Sequence, residues 1–370
     1  MDLTYTGGDH LGPTRIIQVR EPGIGLEGLL VIDNVAAGPA IGGLRMAADV
    51  SLAECARLAR AMTLKNAAAS LAHGGAKSVL VGDPKMPAAN KERLIRGFAT
   101  ALRDCRDYIV GPDMGTDENC MAWVQDETGR AVGLPAELGG IPLDQLGATG
   151  WGLFQAIREA AADCELDLDG ARVAIQGFGA VGRHAARFLA AEGARIVAVS
   201  DSQGGIADPA GLDLEHLLAL KRDGRSVTEM TRGTRLSGDA IIDVECDIWI
   251  PAARPDVIDE HNVDRLRTRL LAEGANIPVT DAAEARLHER GILALPDFIA
   301  NAGGVICAAM EYRHLSQSAA FDAIRDKIRS NVRTMLDSAG SAGISPRQAA
   351  LRLAATRVER AMRLKRWSLY

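Results

Sequence analysis

The sequence predicts an α/β protein of two domains, the second of them a doubly wound, mostly parallel sheet. Three observations carry this. Residues 172–175 (Arg-Val-Ala-Ile) form a short β-branched run, followed by Gln176-Gly177-Phe178-Gly179-Ala180-Val181-Gly182, a helical stretch to Ala191, a second apolar run at 195–200 and an acid, Asp201. Further apolar runs at 247–250, 269–272 and 292–295 alternate with helical or loop segments, the pattern of parallel strands with helices on both faces. The chain of 370 residues is also too long for one ordinary domain of roughly 150 residues.

The first run is strand, glycine turn, helix, strand and acid, which predicts a Rossmann-type dinucleotide-binding domain. Gly177 would permit the tight turn, Gly179 would let backbone approach a pyrophosphate, and Gly182 would let the helix pack closely on its strand. The pyrophosphate would meet unpaired N–H groups at the helix N-terminus. Asp201 would accept hydrogen bonds from a ribose, which favours NAD. NADP stays open, because Arg183 and His184 lie near enough in sequence to help a phosphate. Ligands of such sheets bind at the carboxyl ends of the strands. Here those ends include Ala252 and Ala253, Glu273-Gly274-Ala275-Asn276, and Pro296-Asp297.

Taken in order, residues 15–19 and 29–33 read as strands, and residues 38–46 as an irregular, glycine-rich segment. Ser51-Leu52-Ala53-Glu54 is a capping-box signature and starts a helix that runs out near Leu71. Leu58, Met62 and Lys65 recur at i, i+4 and i+7, which places Lys65 on the apolar stripe. His73-Gly74-Gly75-Ala76-Lys77 reads as a turn into a strand at 78–81. An amphipathic helix at 90–105 leads to a strand at 108–110, whose end carries Gly111-Pro112-Asp113-Met114-Gly115-Thr116.

The polar, glycine-rich stretch 129–147 reads as the interdomain connection. A helix over 149–164 opens the second domain. Asn301-Ala302-Gly303-Gly304 opens a helix towards His314, and two helices, 318–339 and 345–366, close the chain. The expected division is 1–145 plus about 335–370 for an N-terminal substrate-binding and oligomerisation domain, and 146–334 for the dinucleotide-binding domain.

Composition excludes several classes. Hydrophobic residues are 47% and charged residues 24%, as in soluble globular proteins. A net charge of -6 with no basic block argues against a nucleic-acid partner. No apolar run reaches the about 20 residues of a membrane span, and no signal-peptide pattern opens the chain, so cytoplasm is expected. The 6 cysteines include no C-x-x-C pair and the 7 histidines show no ligand spacing, so neither a disulfide framework nor a metal site is expected.

Two sheltered lysines and an aspartate beside a nicotinamide site suggest hydride transfer at a carbon bearing a carboxylate and a carbonyl or imine. Lys65 would hold the carboxylate as a point charge. Lys77 would polarise the carbonyl oxygen or activate water, and Asp113 would carry protons to and from the amino nitrogen.

From about Gly38 to Tyr312 the chain resembles the glutamate/leucine/phenylalanine/valine dehydrogenases. The resemblance lies in residues 38–46, Met62-Thr63-Leu64-Lys65-Asn66, Gly74-Gly75-Ala76-Lys77, Pro112-Asp113-Met114-Gly115-Thr116, Ala148-Thr149-Gly150, the 177–182 fingerprint, Glu273-Gly274-Ala275-Asn276 and Asn301-Ala302-Gly303-Gly304. It implies that Lys77 is the catalytic lysine, Asp113 the proton-shuttling acid and Lys65 the α-carboxylate ligand. Ile41, Gly42, Gly43, Met62, Gly111, Asn276, Val305 and Ala308 would complete the substrate site. The cofactor site would take Thr149, Gly177, Phe178, Gly179, Ala180, Val181, Gly182, Asp201, Ser202, Ala252, Ala253, Asn276 and Asn301. A homo-oligomer is implied, acting on an amino acid, its 2-oxo acid and ammonia. Members with Ser-Asp-Ser at the second strand's end, like Ser200-Asp201-Ser202, use NADP.

Glutamate-specific members look like Gly-Pro-Tyr-Lys-Gly-Gly in the first motif and place a serine four residues after the second glycine of Asn-Ala-Gly-Gly. Ile41 and Ala308 stand at those two positions here. A substrate carboxylate buried against them would lack partners and be disfavoured. The expected substrate is therefore an L-amino acid with an apolar, aliphatic or aromatic side chain, and Gly111 and Ala308 would leave room for a bulky one. Residues 117–127 and 137–140 look more like glutamate members. The alternatives are a glutamate dehydrogenase with an altered pocket, or a nucleotide-binding relative without turnover, although Lys65, Lys77 and Asp113 are all present.

Overall fold

A computed structural model describes residues 7–365. They form two compact units. The first takes the chain up to Leu143, together with Val305–Ala320 and the stretch from Leu351; the second takes Asp144–Gly304 and Phe321–Ala350.

The first unit contains β1 (Arg15–Glu21), β2 (Leu26–Asn34), β3 (Ala40–Ala47), α1 (Leu52–Ala68), β4 (Gly74–Val81), α2 (Ala88–Ala101), β5 (Tyr108–Pro112) and α3 (Glu118–Thr128). The sheet order is β1-β2-β4-β3-β5, antiparallel from β1 to β4 and parallel from β4 to β5. Successive strand residues face opposite sides, and β2 shows why the unit has two layers of core. Leu29 and Val31 pack with Val79 against Leu52, Cys55, Ala56 and Ala59 of α1. Leu30 and Ile32 instead join Leu44 and Leu80 against Leu94, Ile95 and Phe98 of α2 and Met121 and Val124 of α3. Ser51 caps α1, its side chain accepting from the Glu54 N–H at 3.2 Å.

Three sequence expectations change here. Residues 38–46 are not irregular: most of them form β3, paired on both edges. A Cβ on Gly42 would lie 1.8 Å from the Ala76 carbonyl oxygen, so the glycine that lowers strand propensity is the one that admits the neighbouring strand. Residues 74–77 are likewise strand and not turn. A Cβ on Gly75 would lie 2.0 Å from the Thr63 nitrogen, so this glycine lets α1 lie close on β4. On α1 the buried stripe is Leu52, Cys55, Ala59, Thr63 and Asn66, while Leu58, Met62 and Lys65 occupy a half-buried flank.

The second unit begins at α4 (Leu143–Leu146) and continues through α5 (Ala148–Ala160), β6 (Arg172–Gln176), α6 (Ala180–Ala191), β7 (Arg195–Asp201), β8 (Gly204–Ala207), α7 (Leu214–Arg222) and β9 (Thr234–Leu236). Next come β10 (Ile248–Pro251), β11 (Leu270–Ala272), α8 (Asp281–Glu289), β12 (Leu293–Leu295) and α9 (Asp297–Ala300). α10 (Gly303–Tyr312), α11 (Gln317–Ala342) and α12 (Pro346–Leu364) end the described chain; Arg366, the predicted end of the last helix, lies outside the described residues.

The sheet order is β12-β11-β10-β6-β7-β8-β9, parallel from β12 to β7. β8 and β9 extend it antiparallel; neither Gly204–Ala207 nor Thr234–Leu236 is an apolar run of the kind that marks the parallel strands. The chain leaves β6 first on one side and later on the other, so the strand order reverses between β6 and β10, where such sheets bind ligands.

The stretch read as a connection is also structured. Val110 bridges Ala131, and the buried Glu311 carboxylate of α10 accepts from the Leu134 and Ile141 N–H groups at 3.1 and 2.9 Å. Among the described residues no helix is long and apolar enough to cross a membrane.

Candidate active site

In the first unit, Lys77 sits mid-strand on β4 and is 5% exposed. Asp113 follows the last residue of β5. The Lys77 Nζ lies 2.7 Å from Asp113 Oδ2. Gly43 of β3 makes that approach feasible: its Cβ would stand 2.8 Å from Asp113 Cβ and 3.2 Å from Lys77 Nζ. Gly43 pairs with Gly111 across β3 and β5, so two adjacent positions on this face lack side chains.

Ile41, two residues before Gly43, shares the face and is buried. Gly42 points the other way, and its carbonyl accepts from Tyr108 Oη at 3.1 Å, so it serves strand pairing. Gly111 is less open than expected, since a Cβ there would meet Val132 Cγ2 at 3.4 Å. Met62 and Lys65 are half-buried on α1. On α10, Val305 is half-buried and Ala308 is buried.

Asp113 has a second cation. Arg45 of β3 donates from Nε to the same Oδ2 at 2.9 Å, and its Nη1 meets Glu54 of α1 at 2.5 Å. The Asp113 N–H donates to Thr116 Oγ1 at 3.0 Å, and that hydroxyl donates to the Leu44 carbonyl at 2.7 Å, which fixes the turn. Burial alone would raise the Asp113 pKa. The Lys77 ammonium and then the Arg45 guanidinium outweigh it, so the carboxyl is held below the usual range and is ionised near neutral pH.

In the second unit, Gly177 takes φ 97° at the end of β6. A Cβ there would lie 2.7 Å from the Ala252 carbonyl and the Ala253 nitrogen, just past β10. A Cβ on Gly182 would lie 2.2 Å from the Gly177 oxygen. Gly179, the N-cap of α6, is exposed with nothing near its Cβ direction and no side-chain cap, and Ala180 and Val181 follow in the first turn. The result is an open helix N-terminus beside a tight glycine turn, a shape and polarity that fit the pyrophosphate of a dinucleotide.

Asn301 is buried. Its Nδ2 donates to the Ala275 carbonyl and to Asn276 Oδ1, each at 3.1 Å, while its buried Oδ1 has no partner among the described residues. Asn276 itself is exposed. A Cβ on Gly304 would lie 3.2 Å from Thr149 Oγ1, which puts Thr149 beside the start of α10.

The loop bearing Asn276 is held from below. The Ile277 N–H donates to Asp297 Oδ2 at 2.9 Å, and the Asp297 N–H donates to Glu273 at 3.1 Å. Arg347 of α12 bridges Glu273 at 2.8 Å, Asp297 at 3.3 Å and Glu284 of α8. Complete burial pushes the Glu273 carboxyl up to about 8; Arg347 opposes this, and Asp297 and Glu284 add to it. A carboxyl whose folded pKa lies above its unfolded one contributes stability at low pH that is lost as pH rises through the folded value. The melting temperature is therefore expected to decline between about pH 4.5 and about pH 8, and Glu273→Gln should flatten that decline in a circular-dichroism melting series.

Two residues expected at the cofactor are engaged by the protein itself. Phe178 is fully buried, and its N–H donates to the Ser200 carbonyl at 2.7 Å, so its side chain belongs to the core. The Asp201 carboxylate has four protein donors. One oxygen accepts from the Gln203 N–H and Ser226 Oγ, both at 3.0 Å, and the other from Lys221 Nζ and the Val227 N–H, both at 2.9 Å. Four donors occupy the four lone-pair sites of a carboxylate. Burial would raise the Asp201 pKa, but Lys221 and the other donors hold it low. Ser202 is exposed beside it. Among the described residues no cluster of His, Cys, Asp and Glu is placed to hold a metal ion.

The sequence reading missed Arg45, Glu54, Lys221 and Ser226. Arg45 had a signal: once residues 40–47 are a strand, alternation sets it on the face of Gly43. Lys221 and Ser226 had none, because 20 and 25 residues separate them from Asp201.

Two family models match the chain. The family model described as “Glu/Leu/Phe/Val dehydrogenase, dimerisation domain” matches residues 13–130, and that described as “Glutamate/Leucine/Phenylalanine/Valine dehydrogenase” matches residues 139–366. A glutamate dehydrogenase of Aeropyrum pernix is 38% identical over 358 residues, covering 90% of this chain and 85% of that protein. An NADP(+)-dependent glutamate dehydrogenase of Pyrobaculum calidifontis is 38% identical over 326 residues, 81% of this chain and 77% of that one. The crystal structure of L-tryptophan dehydrogenase from Nostoc punctiforme superposes with a TM-score of 0.74 at 25% identity, covering 95% of this chain and 97% of that one. The chain belongs to the glutamate/leucine/phenylalanine/valine dehydrogenase family and is an amino acid dehydrogenase, an oxidoreductase of CH–NH2 groups in a family that uses NAD or NADP.

Proposed function

We propose that this enzyme oxidatively deaminates an L-amino acid with an apolar side chain, aliphatic or aromatic, to the 2-oxo acid and ammonia, and catalyses the reverse reductive amination. Ile41 carries the reading. It is buried on the strand face that bears Gly43 beside the Lys77–Asp113 pair, and it offers hydrocarbon where a substrate carboxylate would need a cation. An apolar side chain gains about 25 cal/mol per Å² buried, whereas an unpaired carboxylate loses its hydration without compensation. Ala308, also buried and apolar, adds to this. Likeness to a tryptophan dehydrogenase supports the reading. Glutamate is the second reading, favoured by the 38% identity to a glutamate dehydrogenase.

In this mechanism Lys65 holds the α-carboxylate. Asp113, ionised and anchored through Oδ2, takes a proton from the substrate ammonium. When bound, the dinucleotide supplies hydride acceptance from Cα. Asp113 passes that first proton to solvent. Water then adds to the imine carbon with its oxygen hydrogen-bonded by the Lys77 ammonium, and its proton goes to Asp113 and from there to the nitrogen. As the C–N bond breaks, the hydroxyl proton leaves with the departing ammonia as ammonium. Gly177, Gly179 and Gly182 would cradle the pyrophosphate, with Thr149, Asn276 and Asn301 towards the nicotinamide end. The working form is read as a cytoplasmic homo-oligomer, in keeping with a family dimerisation domain and six free cysteines.

NAD is read as the cofactor, with NADP accepted as well. Lys221 neutralises Asp201 at 2.9 Å, which weakens the repulsion an isolated acid would exert on a 2′-phosphate. Lys221→Met is therefore expected to lower kcat/KM for NADP about tenfold more than for NAD; equal losses would count against this assignment.

Initial rates on leucine, valine, phenylalanine, tryptophan and glutamate with each cofactor test the substrate reading. Glutamate as best substrate would refute it.

A further inference from the structure

We infer that Arg45 is a positioning residue for the Asp113 carboxylate: with Lys77 it grips Oδ2, leaves Oδ1 for the substrate nitrogen, and is itself held by Glu54. This rests on Asp113 being the proton carrier.

The geometry is specific. Both cations meet the same oxygen, Lys77 Nζ at 2.7 Å and Arg45 Nε at 2.9 Å. The contacts that hold the Asp113 side chain both fall on Oδ2. A carboxylate held by one oxygen from two directions has its other oxygen aimed. The Arg45 side chain is only 17% exposed, and its planar fork spans two carboxylates, Asp113 from Nε and Glu54 from Nη1. An ammonium is a single point and cannot hold both in this way.

Glu54, Arg45, Asp113 and Lys77 thus form an alternating row of four charges running from the first turn of α1 across β3 to β4. Deleting Arg45 would leave Asp113 with Lys77 and would remove the cation that Glu54 meets. The other titratable groups around Asp113 do not replace it. Burial pushes the Cys55 thiol of α1 up to about 12 and the Tyr108 phenol of β5 up as well, so both stay neutral. Asp117, capping α3, is held low by the Cys120 N–H against its burial.

The test is the pH dependence of kcat/KM for the full chain at saturating cofactor, with L-leucine and L-glutamate as parallel probes. The acid limb reports a group of the free enzyme. In Arg45→Gln that limb should rise by about one pH unit, so that kcat/KM at the acid end falls about tenfold more than on the plateau. Arg45→Lys, which keeps the charge without the fork, should show a smaller rise, and it decides the matter where glutamine is not tolerated. The same rise in a Glu54→Gln background would assign the titration to Asp113. A uniform loss with the limb unmoved, or a rise that vanishes in that background, overturns the inference. Turnover persisting in Asp113→Asn would instead overturn the proton-carrier reading beneath it.

Discussion

Asparagine at position 113 is expected to lower kcat about a thousandfold, within the range of 10²–10⁴ for removing a positioned acid–base group. The substitution keeps the size and removes only the ability to take a proton. The fold should survive, because the Asp113 N–H to Thr116 and the Thr116 hydroxyl to Leu44 are untouched. Dinucleotide affinity, read by NADH fluorescence titration, should stay within about twofold, since the glycine cradle belongs to the other compact unit. Lys77→Ala should lose turnover to a similar degree, with a further cost in stability, because it strands the Asp113 carboxylate with Arg45 alone. More than a tenth of the original turnover in Asp113→Asn would remove this residue from the chemistry.

Lysine in place of Ile41 should reverse the preference. A cation at this buried position would supply the partner that a substrate side-chain carboxylate lacks, and it would cost an apolar side chain its hydrocarbon wall. The ratio of kcat/KM for glutamate to that for leucine is expected to rise at least about 100-fold, equivalent to roughly 2.7 kcal/mol. Steady-state kinetics on both amino acids measures it. Loss of leucine turnover with no gain on glutamate would mean that Ile41 does not face the substrate side chain, and the apolar reading would lose its main support.

The parts of this enzyme that were legible in the sequence are those in which chemistry is local. Gln176 to Gly182 announced a strand, turn and helix because Gly177 and Gly182 answer contacts made within a few residues or just past the adjacent strand. The Ser51 cap of α1, the five parallel strands and the isolation of Lys77 and Asp113 beside glycines were readable for the same reason.

Tertiary structure decided the rest. A glycine-rich segment became β3 because strands on both sides accept it, and no propensity within residues 38–46 shows those neighbours. The same pairing set Arg45 on Asp113. Asp201, which in sequence looked like a free acceptor for a ribose, was claimed by Lys221 and Ser226 from more distant chain. A residue's type and its nearest neighbours along the chain are enough to predict a turn or a cap. Which partner neutralises a charge depends on what the fold carries within about 3 Å of it, and that distance is set by packing and not by order in the sequence.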